Sequence, residues 1–155
     1  MKRKDGQAYT EIAERFRDFA EIASDWVWET DADIRFIWMS QDIENTTGIP
    51  NSYYLGKTIE EIDPPVENPE IWARHILDLR SHLPINDFSL WRTTPEGERR
   101  CLSVSAKPLF DPDGKFTGYR GITRDITVQK YAEDALRDSE ERYRSLYNLT
   151  PAMMH

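Results

Sequence analysis

Gly118-Tyr119-Arg120-Gly121-Ile122-Thr123-Arg124-Asp125-Ile126-Thr127 sets two glycines in a short run of β-forming residues and closes on Asp-Ile-Thr. The pattern then changes. From Val128 to Tyr147 there is no Gly or Pro, and Lys, Arg, Glu, Ala, Leu and Tyr recur. That change of pattern predicts a last strand that hands the chain directly to a long helix. Thr127 is placed to cap that helix, because its hydroxyl can accept from a free N–H of the first turn. Asp125 stands beside the positive end of the helix dipole, where a carboxylate is favoured. A domain whose final strand runs into an exposed helix has a mechanical output.

Gly-Tyr-x-Gly-Ile-x-Arg-Asp-Ile-Thr followed by a charged helix resembles the end of a PAS domain. In that family the Asp-Ile-Thr triplet joins the last strand to the signalling helix, so the resemblance implies a relay role for Asp125, Ile126 and Thr127. A second stretch, Ser40 to Ile62, resembles the run of short PAS helices through Thr47-Gly48, Tyr54-Leu55-Gly56-Lys57, Ile59 and Ile62. Two departures stand out. A PAS domain often carries Asn where this chain has Ser40, and often a Gly near Asp33, so that Asp33 is expected to take any left-handed backbone here, at some strain.

The remaining elements follow from periodicity and turn chemistry. Ile12, Phe16, Phe19, Ala23 and Trp26 recur at helical spacing from Ala8 to about Ser24, with charged residues on the other faces. Asp25–Thr30 and Ile34–Met39 read as aromatic-rich strands around the turn Asp31-Ala32-Asp33. The two-residue period places Trp26 with Trp28 on one face, and Phe36 with Trp38. Pro64, Pro65 and Pro69 mark a loop, with Pro69 suited to the first turn of a helix over Glu70–Ser81. Ile71, Trp72, His75, Ile76 and Leu79 stripe that helix. Strands over Pro84–Thr93, Arg99–Phe110 and Lys115–Ile126 complete the pattern, with turns at Pro95-Glu96-Gly97 and Asp111-Pro112-Asp113-Gly114. The order matches a PAS domain over roughly residues 15–127. The expected fold is α+β: a five-stranded antiparallel sheet with short helices on one face, flanked by N- and C-terminal helices.

Domain organisation is expected as follows: residues 1–24 a flanking helix, 25–127 the PAS core, 128–147 a signalling helix, and 148–155 the truncated start of a second PAS domain. The last expectation rests on Glu14-Arg15-Phe16-Arg17-Asp18-Phe19 and Glu141-Arg142-Tyr143-Arg144-Ser145-Leu146, near copies one domain length apart. The chain therefore reads as part of a larger signalling protein.

Composition narrows the function. Of the 155 residues 39% are hydrophobic and 31% charged, the balance of a folded soluble domain rather than a disordered one. A net charge of -8 argues against a nucleic-acid partner, which needs a basic face. No run is long enough for a transmembrane span, and a cytoplasmic setting is expected. The single cysteine, Cys101, excludes an intrachain disulfide. There is no Gly-x-Ser-x-Gly and no phosphate-binding glycine loop, so no catalytic residue is assigned and no enzyme activity is expected of this fragment.

The pocket is expected between helices and sheet, lined by Trp28, Trp38, Ile43, Tyr54, Trp72, His75, Phe88, Leu90 and Val104. Haem-binding PAS domains take an iron ligand from a His on the long helix, which makes His75 the candidate and His82 the second. Flavin photoreceptors of the family use a reactive Cys on a short helix, and residues 52–62 contain none. A domain without cofactor is the expectation, with haem or flavin as the alternatives and no other metal. By resemblance the role is that of a sensor: it detects a small ligand or partner state and relays it to a histidine kinase or cyclic-di-GMP enzyme domain elsewhere in the protein. A ligand-free dimerisation module is the competing reading. In either case a homodimer through Ala8–Ser24, Val128–Tyr147 or both is expected. Ala132, Leu136, Ser139, Tyr143 and Leu146 mark its C-terminal seam.

Overall fold

The computed structural model describes residues 10–16, 18–19, 22, 25–40, 43–62 and 67–153. The expected ends of the first helix at Ala8 and Ser24, the Pro64-Pro65 loop and His155 lie outside the described residues. Two compact units are present, Met1–Asp125 and Ile126–His155.

The first unit is built on five strands: β1 (Trp26–Thr30), β2 (Phe36–Met39), β3 (Ile85–Thr93), β4 (Arg99–Phe110) and β5 (Phe116–Asp125). They form an antiparallel sheet in the order β2-β1-β5-β4-β3. The last strand thus lies in the middle, paired with β1 on one side and β4 on the other. Between β2 and β3 come α1 (Ile43–Thr47), α2 (Asn51–Tyr54) and α3 (Pro69–Arg80). The second unit is α4 (Thr127–Met153), which runs past the expected end at Tyr147 because no glycine interrupts it. The carbonyl of Ile126 accepts from the Lys130 amide at 2.8 Å. Ile126 is therefore the residue flanking the helix, and Thr127 stands in its first turn rather than at the cap. Among the described residues no helix is long and apolar enough to cross a membrane.

The three hairpin turns share one construction. In each, an Asp or Thr amide bonds the carbonyl four residues on: Asp31 to Arg35 at 2.9 Å, Thr94 to Glu98 at 2.8 Å and Asp111 to Lys115 at 2.9 Å. The Asp31 and Asp111 carboxylates each accept two further amides of their turns. The fourth residue of each turn has positive φ. It is Gly97 at 87° and Gly114 at 82°, but Ile34 at 61° in the first turn. The left-handed position expected at Asp33 thus falls one residue later, on a β-branched side chain. Such a residue loses on the order of 1–2 kcal/mol there. Ile34 recovers it by packing against the core. We expect Ile34→Gly to be more stable than Ile34→Ala by about 1 kcal/mol, the reverse of the usual order, since Gly relieves the strain and Ala keeps it. Urea unfolding of both variants measures the difference, and an Ala variant as stable as the Gly variant would remove the strain argument.

A bulge in β2 corrects the expected facing of Trp38. Thr30 pairs with Phe36 and Glu29 with Trp38, so Ile37 is the extra residue. The alternation reverses across it. Phe36 and Met39 are buried, whereas Trp38 is 43% exposed. Trp38 lies on the outer face of the sheet in a groove of about 580 Å³ that Val27, Ile122 and Phe16 also line.

Candidate functional site

Between the inner face of the sheet and the helices lies a small apolar cavity of about 70 Å³. Trp26, Trp28 and Thr30 project into it from β1, since residues two apart on a strand share a face. Leu90 and Arg92 do the same from β3, Leu102 and Val104 from β4, and Thr123 from β5. The helical side contributes Ile43, Thr47, Tyr54, Trp72, His75 and Leu79. Of the expected pocket residues, Trp28, Ile43, Tyr54, Trp72, His75, Leu90 and Val104 line the cavity. Phe88 stands behind the wall, stacked on His75. Trp38 is on the other face of the sheet. Trp26, Thr30, Phe36, Arg92 and Thr123 are wall residues that the sequence reading did not single out. Parity with Trp28 and Leu90 is the signal that points to Trp26 and Arg92.

Polar atoms of the wall are tied to one another. The Trp28 indole N–H donates to Thr123 Oγ1 at 2.9 Å. The Thr30 hydroxyl accepts from the Tyr119 amide at 2.9 Å. Ser40, where the family often has Asn, is buried and accepts from the Val27 amide at 3.0 Å, so its hydroxyl serves the end of β1.

His75 is 5% exposed. Its ring lies flat on Phe88, with centroids 3.8 Å apart and planes 3° apart, and Trp72 is 5.6 Å away on a tilt. Burial pushes its pKa down to about 4, against a weaker upward pull from Asp78. The imidazole is therefore neutral at pH 7. The unfolded chain takes up this proton near pH 6.5, so the stability from a neutral His75 is complete above that value. It is lost as pH falls through 6.5 toward 4, to a total on the order of 3 kcal/mol. Denaturant midpoints of the wild type and His75→Leu, compared at pH 7 and pH 4.5, measure it. We expect the wild type to lose more stability than the variant, and parallel losses would place the imidazole in contact with water.

The cavity has room for about two waters, well short of the roughly 300 Å³ and above of ordinary ligand pockets. Haem does not fit these residues. The cavity in front of His75 is far too small for a porphyrin. For flavin, Cys101, 1% exposed, sits in β4 rather than on a short helix, so it does not stand where the family's photoreceptors place their reactive thiol. Among the described residues no three His, Cys, Asp or Glu side chains converge as a metal site.

The residues expected to form the relay stand at the end of β5 and the start of α4. Asp125 Oδ2 is 3.5 Å from Arg100 Nη1 on β4. Ile126 and Thr127 follow as the flank and first turn of α4. Earlier on β5, Tyr119 is fully buried and reaches the end of α3. Its hydroxyl donates to the Leu83 carbonyl at 2.8 Å and lies 3.1 Å from that of Leu79.

The family model for the PAS fold matches residues 21–130, most of the chain. The chain belongs to the PAS family. It is 26% identical over 126 residues to the aerobic respiration control sensor protein ArcB of Escherichia coli strain K12. That match covers 77% of this chain but 15% of ArcB, so the chain spans about a seventh of that relative's length. A sensory box histidine kinase/response regulator from Burkholderia thailandensis E264 superposes with a TM-score of 0.63 at 23% identity, over 84% of this PAS chain and 98% of that one. A light-oxygen-voltage domain studied with a flavin analogue gives a TM-score of 0.61 at 19% identity, over 81% and 93% of the two chains. At these identities the two structures speak for the fold, a five-stranded PAS sheet flanked by helices.

Proposed function

We propose that this PAS domain is a sensory module that responds to a small ligand and passes its state through α4 to an output domain elsewhere in the protein. The single observation that carries the reading is the seat of the cavity. It lies between α3 and the strand that continues into α4, and the Tyr119 hydroxyl ties that strand to the C-terminal end of α3, at Leu79 and at Leu83 just beyond it. A ligand that spreads the walls therefore moves α3 against β5. A histidine kinase is the output that the likeness to ArcB and to the Burkholderia protein favours; a cyclic-di-GMP enzyme is the second. The domain itself contributes no catalysis, and its setting is cytoplasmic. The flanking helices leave Ile12, Phe16, Phe19, Leu136, Tyr143 and Leu146 more than half exposed. A homodimer through one or both stripes covers them.

The small volume of the cavity favours one competing reading, a ligand-free interaction module whose pocket is filled by its own aromatic side chains. Native mass spectrometry of the purified protein separates the two. A retained or titratable small molecule supports the sensor, and bare protein across a metabolite panel supports the module. An absorption spectrum with a haem band would contradict the volume argument outright.

A further inference from the structure

His75 differs from the other polar residues of the cavity wall. Trp28 and Thr123 bond each other, and Thr30 accepts from the Tyr119 amide. Thr47 donates to the Ile43 carbonyl at 2.8 Å, and the Tyr54 hydroxyl reaches Thr47 at 3.5 Å. His75 is in the same wall and 5% exposed, yet among the described residues no hydrogen bond reaches either of its ring nitrogens. Asp78, whose charge acts on the ring, is paired with Arg74 at 3.3 Å instead. Phe88 takes one face of the imidazole by stacking. What the ring offers a ligand is its edge, which carries both nitrogens. A buried polar group left unbonded is costly, so this edge calls for a hydrogen-bonding guest.

The wall restricts what that guest can be. A neutral imidazole has one donor and one acceptor. A hydroxyl answers either nitrogen, because it both donates and accepts, whereas a carbonyl or an ether answers the N–H alone. A charged group would meet mostly apolar side chains, Leu90, Leu102 and Val104 among them, at a high desolvation cost. The volume of about 70 Å³, against roughly 30 Å³ for one water, leaves room for about three or four heavy atoms. Thr47 and Tyr54 also line a neighbouring groove of about 560 Å³, which gives such a molecule a way in.

We propose that the cavity is a site for a small neutral alcohol, with its hydroxyl on the edge of His75 and its short alkyl part against the leucines of the sheet. This rests on the sensory reading and names its ligand class. The anchor also suits a relay. His75 stands on α3 one turn before Leu79, whose carbonyl lies 3.1 Å from the Tyr119 hydroxyl of β5.

The test titrates 1-propanol, 1-propanethiol, propionate and xenon into the whole chain at pH 7. Binding is followed by the ring nitrogen signals of His75 and the indole N–H signals of Trp28 and Trp72. 1-Propanol should bind in the millimolar range, which is what so few atoms allow. It should bind about fivefold or more tightly than the thiol, whose sulfur bonds weakly. The alcohol should move the His75 signals, whereas xenon, which fills space without bonding, should move the indoles alone. Propionate should stay out. His75→Leu should still admit xenon but bind alcohol and thiol alike. Thermal melts check that it folds, and His75→Gln, which keeps a donor and an acceptor, should retain part of the preference. A thiol that binds as tightly as the alcohol, or an alcohol that leaves the His75 signals in place, overturns the alcohol site while the pocket and the sensory reading stand. Entry of xenon alone overturns it in the same way. If no probe, xenon included, moves an indole signal, the cavity is closed, and the sensory reading falls with the proposal.

Discussion

Replacing Gly118 with Ala should cost on the order of 4 kcal/mol or more. A Cβ at this position would stand 2.0 Å from the Thr30 carbonyl oxygen and 2.9 Å from its carbon. Both are backbone atoms of a paired central strand and cannot give way. The backbone adds to the cost, because φ is 147°, a region that L-residues rarely enter. Losses of this size are uncommon for a single methyl and mark a steric cause. They consume much of the stability of an ordinary domain, about 5–15 kcal/mol. Gly114→Ala is the control. Its φ is 82°, but nothing lies within 4 Å of the added carbon, so only the backbone strain remains, about 1 kcal/mol. Urea midpoints of the two variants are the measurement. Equal losses would show that strain alone, and not the approach of β5 to Thr30, requires glycine at 118.

Removal of the Tyr119 side chain should do comparable damage, in two separable parts. Its ring is fully buried against Phe116 and the end of α3. That end forms a two-bond turn: the Leu83 amide donates to Asp78 at 3.1 Å and the His82 amide to Leu79 at 3.1 Å. His82 supplies the left-handed residue of the turn at φ 58° and stacks on Phe116 at 3.7 Å. The Tyr119 hydroxyl donates to the Leu83 carbonyl at the close of this turn, and burial raises its pKa to about 12, so it stays protonated. Tyr119→Phe deletes the donor alone and should cost about 1–3 kcal/mol. Tyr119→Ala also opens a cavity and should cost about 4–5 kcal/mol. The Phe variant carries the functional information. It keeps the packing but cuts the bond between α3 and β5, so its response to signal should fall more than its stability.

Much of this was legible before any coordinates. Gly118 to Thr127 marks a strand that passes into a helix, and the prolines and Asp-rich turns place the other boundaries within a residue or two. Less legible were features that depend on pairing. The bulge at Ile37 leaves no mark on the alternation of Phe36 and Trp38, so the indole was expected on the inner face. Phe88 was placed on the right side of β3, but its ring is spent on His75 rather than on the cavity. The Ile34 turn was hidden because its residue type argues against positive φ. Alignment with Asp111-Pro112-Asp113-Gly114-Lys115, the same construction, is the signal that reveals it. Arg92 is a charged residue on a strand, a type that is mostly exposed. Its parity with Leu90 says otherwise.

Whether α4 acts as a relay or only as a tether is decided by its register. Ala132, Leu136, Ser139, Tyr143 and Leu146 repeat at alternating spacings of four and three. In the full-length protein, one residue inserted after Tyr131 turns everything downstream by about 100°, whereas seven restore the stripe. Output should change sharply with the first insertion and largely return with the second. Equal output from the parent and both insertions would contradict a signal carried by helix register.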